Sequence, residues 1–143
     1  MKRTLYILGL TFVVSIAAQA QKTISTDKAI SDTHCQIMVP SDWVDLKPAG
    51  GRARSTKDVG FSAKVRGIPS SEFQTDVDTV KQRKGSVVDE NDSRILLVEP
   101  LGAKRMYVEL TKAGPNACRA TVIFSIDQVA VARKIVETLK PMK

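Results

Sequence analysis

The chain has 143 residues, with 22 Lys and Arg against 15 Asp and Glu, two cysteines and one histidine. That length suits one domain around one core, and one His with two Cys offers too few ligands for a transition-metal centre. The formal charge of +7 favours anionic neighbours. There is no basic run interleaved with aromatics of the kind that grips nucleic acid, so nucleic acid is not an expected partner.

The first twenty residues, MKRTLYILGLTFVVSIAAQA, have the layout of a secretory signal peptide. Lys2 and Arg3 precede an apolar run from Leu5 to Ala17, and Ala18-Gln19-Ala20 places small residues where signal peptidase reads them. An apolar run of this length is short of the roughly 20 residues that span a bilayer. Cleavage before Gln21 is therefore expected, with no transmembrane segment afterwards and a periplasmic or secreted product. Losing Lys2 and Arg3 leaves 20 basic and 15 acidic residues, a balance of +5.

Residues 21–33 are polar and read as a flexible N-terminal segment; 34–143 read as a single domain. Cys35 to Val39 is a short strand stopped by Pro40, followed by turn chemistry and the lone Trp43. Lys47 to Asp58 contains Pro48, Gly50 and Gly51 among Lys47, Arg52, Arg54 and Lys57, and reads as a solvated basic connection. The Gly pair lacks the flanking pattern of a phosphate-binding loop. Phe61, Ala63 and Val65 alternate with Ser62, Lys64 and Arg66 in the next strand. Ser71 with Gln74 resembles a capping box ahead of a helix striped by Phe73, Val77 and Val80, with Gly85 as its stop. The acidic stretch 86–93 reads as a polar connection without the ligand spacing of a calcium loop.

From Arg94 to Ile126 the pattern gives three strands and two turns. Ile95 to Val98 is apolar at every position, as in a central strand covered on both faces. Met106, Val108 and Leu110 alternate with Arg105, Tyr107 and Glu109, and Ala120, Val122 and Phe124 with Arg119, Thr121 and Ile123. Asp127 is a candidate N-cap for a last helix striped by Val129, Ala132, Val136 and Leu139 and ended by Pro141. The expected architecture is α+β, a mostly antiparallel sheet with helices packed on its faces.

Cys35 shares its strand side with Ile37 and Val39, and Cys118 with Ala120, Val122 and Phe124, so both thiols point to the apolar side. In an oxidising compartment two such cysteines pair, giving an expected Cys35–Cys118 disulfide. His34 abuts Cys35 but is expected at a strand start facing solvent. Successive strand residues diverge, so a thiolate–imidazole dyad is not expected. The carboxylates are scattered over helix, loop and strand, and no nucleophile motif is present. No catalytic residue, metal site or cofactor is assigned.

The segment Ile37-Met38-Val39-Pro40-Ser41-Asp42-Trp43 resembles the opening of PsbP-like domains. The meander 94–126 and the closing Ala132 to Leu139 resemble that family's last strands and helix. Over roughly residues 35–140 the resemblance implies an α/β/α sandwich with an antiparallel sheet, and a protein that binds others rather than catalyses. The two cysteines are not part of that motif. The expected function is a non-catalytic, exported binding or assembly protein of the bacterial envelope. Its candidate surface is Arg52, Arg54, Lys57, Lys64 and Arg66, facing an unidentified protein or anionic envelope component. The alternatives are an inhibitor or immunity protein against a secreted enzyme, and an envelope hydrolase with an unfamiliar site. A large dry pocket with convergent carboxylates favours the hydrolase; a shallow basic or apolar surface favours binding.

Overall fold

The computed structural model describes residues 25–46 and 50–142. The expected signal peptide, and Lys47 and Pro48, lie outside these residues. The meander forms as the alternation predicts: β7 (Arg94–Leu101), β8 (Lys104–Ala113) and β9 (Asn116–Phe124), each antiparallel to the next. Gly102 and Gly114 take the positive φ of the two connecting turns, 61° and 64°, a conformation that costs other residues about 1–2 kcal/mol.

β5 (Ser62–Pro69) extends the sheet along β9. With β3 (Val44–Asp45), β4 (Arg52–Arg54) and β6 (Ser86–Glu90), the order across the seven strands is β3-β4-β5-β9-β8-β7-β6. Three departures from expectation follow from pairing rather than from intrinsic pattern. The basic connection contains β4, whose Ala53 is buried and whose neighbours are β3 and β5. The polar stretch 86–93 contains β6, an edge strand with no buried residue, broken by a bulge between Val87 and Asp89. Charged, bulged edges of this kind resist pairing with other chains. β7, expected at the centre, is next to the edge, yet Leu96 and Leu97 are buried on opposite faces.

A second sheet comprises β1 (Lys28–Asp32), β2 (Cys35–Val39) and β10 (Lys140–Pro141), in the order β1-β2-β10. β1 corrects the expectation of a flexible segment through residue 33. Only Ile30 is buried along it, so it is held by five residue pairs with β2 rather than by an apolar pattern of its own.

Two α-helices occur among the described residues. α1 (Phe73–Gln82) buries Val77 and Val80 in a cluster with Ile68, Ile95, Leu97, Val108, Leu110 and Ala117. α2 (Val129–Glu137) buries Ala132, Ile135 and Val136 in a larger cluster with Ala63, Val65, Tyr107, Val122 and Phe124. These sets alternate along the same strands, so the clusters occupy the two faces of the large sheet. Each fully buried aliphatic side chain contributes about 1.5–3 kcal/mol. Tyr107 stacks on Phe124 at 4.5 Å, and Trp43 meets Phe61 edge-on at 4.7 Å.

The helix ends differ in detail from expectation. No Ser71–Gln74 box forms; Ser70 instead donates to the Pro115 carbonyl at 2.7 Å, and Gln74 to Asp78 at 2.9 Å. Lys84, not Gly85, takes the left-handed position after α1, with φ 67°. Gly85 is needed for space, because a Cβ there would lie 2.5 Å from the Val80 carbonyl oxygen. Ahead of α2 the capping residue is Ser125 rather than Asp127: its N–H donates to Gln128 Oε1 at 2.9 Å across a 3-10 turn, Ile126–Gln128. Ile135 replaces the exposed Val129 in the buried stripe. None of the helices among the described residues is long and apolar enough to cross a membrane.

Candidate functional site

Cys35 and Cys118 are bonded, with Cα atoms 5.6 Å apart and both residues fully buried. The bond ties the small sheet to β9 and closes a separation of 83 residues. Such a bond persists outside the reducing cytosol. His34 behaves differently from expectation. It lies in the turn before β2, not in the strand, so strand alternation does not direct its side chain. The imidazole folds back over Gly67, with Nε2 3.1 Å from the Ala117 carbonyl oxygen. One ring nitrogen lies within 4.8 Å of both sulfurs, but the thiols are consumed by the disulfide.

The basic residues singled out in the sequence divide by position. Arg52 and Arg54 in β4, and Lys64 and Arg66 in β5, alternate with buried Ala53, Ala63 and Val65, so they share one face of the large sheet. Lys57 lies in the turn between those strands. Arg52 is directly opposite Lys64, and Arg66 directly opposite Arg119, which the sequence reading had not included. α1 rests on β7 and β8 of this face and leaves the β4-β5-β9 end open. Two shallow hollows occur there, of about 230 and 200 Å³. The first is lined by Leu46, Arg52, Lys64 and Ile123, the second by Lys64, Arg66, Met106 and Arg119.

The electrostatics of this face are only partly compensated. Asp76, on α1, lies 3.7 Å from Arg119 and 4.0 Å from Arg66. Burial, and then the charges of Arg52, Arg66 and Arg119, hold the Lys64 ammonium below its ordinary pKa. Burial likewise lowers Arg119, against the pull of Asp76. Nε of Arg119 and Oδ2 of Asp76 are buried without hydrogen-bond partners. Like charges directly opposite on neighbouring strands destabilise a sheet, so this cluster carries a cost that the fold alone does not require.

On the other face, β8 buries Glu109, which is 1% exposed. Its Oε1 meets Arg94 Nε at 2.6 Å, while Oε2 has no hydrogen-bond partner. Burial pushes its pKa up to about 7, with Arg94 opposing the shift. Arg94 in turn donates to Thr111 Oγ1 at 3.1 Å and to the carbonyls of Glu137 and Leu139 at the end of α2. Strand alternation had placed Glu109 on the polar side of β8, a side that α2 in fact covers.

Neither a family model nor a curated protein matches the chain. Solved structures do. A protein of Bacteroides thetaiotaomicron VPI-5482, known from a crystal structure, aligns with a TM-score of 0.58 at 15% identity over 83% of this chain. This chain spans half the length of that one. The solution structure of cyanobacterial PsbP (CyanoP) from Synechocystis sp. PCC 6803 aligns with a TM-score of 0.51 at 15% identity, over 88% of this chain and 98% of CyanoP. The likeness is one of fold: mostly antiparallel sheets with two short helices, in a PsbP-like arrangement, as the sequence resemblance implied.

Proposed function

We propose that the protein is a non-catalytic, exported binding module of the bacterial envelope, and that it docks on an anionic partner through the open β4-β5-β9 face. The observation that carries this reading is the register that sets Arg52 against Lys64 and Arg66 against Arg119. An anionic partner would offset a repulsion that the free protein bears, which makes such a face more informative than scattered surface charge. Its hollows are shallow and partly apolar, the form expected of a docking surface rather than of an enclosed reaction site. The signal-like N-terminus, the disulfide and the PsbP-like fold support export to the periplasm or beyond. The helices, one against each cluster, fit the outer layers of an α/β/α sandwich in which the small sheet shares the α2 layer.

The test is Lys64→Glu, assayed by cosedimentation with vesicles containing phosphatidylglycerol and by retention on an immobilised polyanion. The variant replaces a like-charge pair by Arg52 opposite Glu, worth roughly 0.2–1 kcal/mol of stabilisation, so its melting temperature should rise slightly. Its binding should nonetheless weaken about tenfold or more, and wild-type binding should fall steeply with salt. Salt-insensitive wild-type binding, or equal binding by the variant, would overturn the reading.

A further inference from the structure

A cavity of about 340 Å³ opens between β6, β7, β8 and the second half of α2, on the face away from the basic cluster. Its lining carries four carboxylates, Asp89, Glu90, Glu109 and Glu137, against two cations, Arg94 and Arg133. Both cations are engaged. Arg94 bonds Glu109, Thr111 and the two carbonyls closing α2. Arg133 Nε bonds Glu137 Oε1 at 2.6 Å, and its Nη2 lies 3.9 Å from Asp89. What remains is negative: the exposed Glu90, an Asp89 held only by the 3.9 Å contact, and the unpartnered Oε2 of the buried Glu109.

A carboxylate in that state needs a donor. Holding Arg94 occupies one oxygen; the second is a buried acceptor left open, and such acceptors cost about 1–3 kcal/mol each. A hydrogen-bond donor arriving through the cavity would satisfy it, after a small turn about the terminal carboxyl bond, which is soft. The volume is at the lower end for small-molecule sites. Among the described residues these carboxylates do not gather closely enough to enclose a metal ion. With both arginines committed, an anion would find no counter-charge.

We propose that this cavity binds the primary ammonium group of a small organic cation, with Glu109 as its buried acceptor and Asp89 and Glu137 as flanking carboxylates. Two chemical sources carry such an ammonium, a free aliphatic amine and the lysine side chain of a peptide. This site is separate from the anion-binding face and stands or falls without it.

The experiment is an NMR titration of the full mature protein at pH 8 with 1,4-diaminobutane and, separately, with Nα-acetyl-lysine amide. Diacetylated diaminobutane is the neutral control. Saturable shifts centred on Leu96, Glu109 and Glu137 are expected with at least one amine and not with the control. Preference between the amines distinguishes the two sources. Glu109→Gln should weaken binding at least tenfold. Asp89→Asn, a change at an exposed site that does not touch the core, should weaken it severalfold. Wild-type affinity should drop about a hundredfold from pH 8 to pH 5, because only the ionised fraction of Glu109 accepts the ammonium among the Arg94, Arg133, Asp89 and Glu137 charges around it. Absence of saturable shifts with both amines, equal shifts from the neutral control, or undiminished binding by both variants would overturn the proposal. In that case Glu109 serves only to tether Arg94.

Discussion

Substituting Glu109→Gln should change not the average stability of the protein so much as its dependence on pH. In the unfolded chain the carboxyl titrates near its ordinary value of 4.5, while in the folded protein burial raises it to about 7. Below pH 4.5 both states are protonated, and the neutral acid is buried without an ionisation cost. As the pH rises from 4.5 towards 7, the unfolded state releases its proton and the folded state keeps it, so folding loses ground. Above 7 both are ionised and the full difference is felt. The rise from 4.5 to about 7 corresponds to about 3 kcal/mol. The attraction of Arg94, 2.6 Å away, is already counted in the folded value and does not reverse the sign.

Glutamine keeps the shape and never ionises. Near pH 4.5 the two proteins should therefore melt within a degree or two of each other. At pH 8 the glutamine variant should be more stable by about 3 kcal/mol, or roughly 10 °C for a domain of this size. Differential scanning calorimetry of both proteins at half-unit steps from pH 4 to 8.5 reads the difference directly. The neighbouring charges Asp89, Arg133 and Glu137 are present in both proteins. A difference that stays constant with pH, or a wild type that gains on the variant as pH rises, would refute the reasoning. The latter would mean that the Arg94 ion pair outweighs the desolvation of Glu109.

Two further predictions concern the sheet junction. Reducing Cys35–Cys118, or replacing both cysteines by Ala, should destabilise the protein by about 4–5 kcal/mol on the chain-entropy model for a separation of 83 residues. Denaturant melts with and without reductant measure this, and a change below 1 kcal/mol would mean that the small sheet is held without the bond. Gly67→Ala should expel the His34 ring that lies over it and break the contact with the Ala117 carbonyl, costing about 1–2 kcal/mol. The same change in a His34→Ala background should cost much less, and equal costs in both backgrounds would remove His34 from the explanation.

The elements were legible in the sequence because alternation along a strand is a local signal. The presence and order of β7, β8 and β9, the shared side of Cys35 with Ile37 and Val39, and a last helix burying Ala132 and Val136 all follow from residues a few positions apart. β1, β4 and β6 were not legible, since each is a strand mainly because a neighbour pairs with it. Ile30 is the one buried residue in β1, and β6 has none. The placement of the basic residues was legible in part for the same reason. Parity put Lys64 and Arg66 on one side of their strand, whereas Arg52 and Arg54, expected in a loop, share that side only because β4 pairs with β5.

What alternation does not convey is which side of one strand matches which side of the next. In β9 the apolar series Ala120, Val122, Phe124 faces α2, whereas in β8 the apolar series Val108, Leu110 faces α1, as the register Tyr107–Val122 and Val108–Thr121 requires. The polar series of each strand therefore lands among the apolar residues of its neighbour. That offset buries Glu109 beneath α2, and it turns Arg119 onto the α1 face beside Arg66. Both residues look like ordinary outward-facing charges when each strand is read alone. They become an open acceptor and a crowded cation only through register, so the two sites proposed here have a common origin. Both faces of the sheet bury apolar residues, and register decides which of the charges alternating with them ends up covered, as Glu109 is, and which stays beside an open stretch of sheet, as Arg119 does.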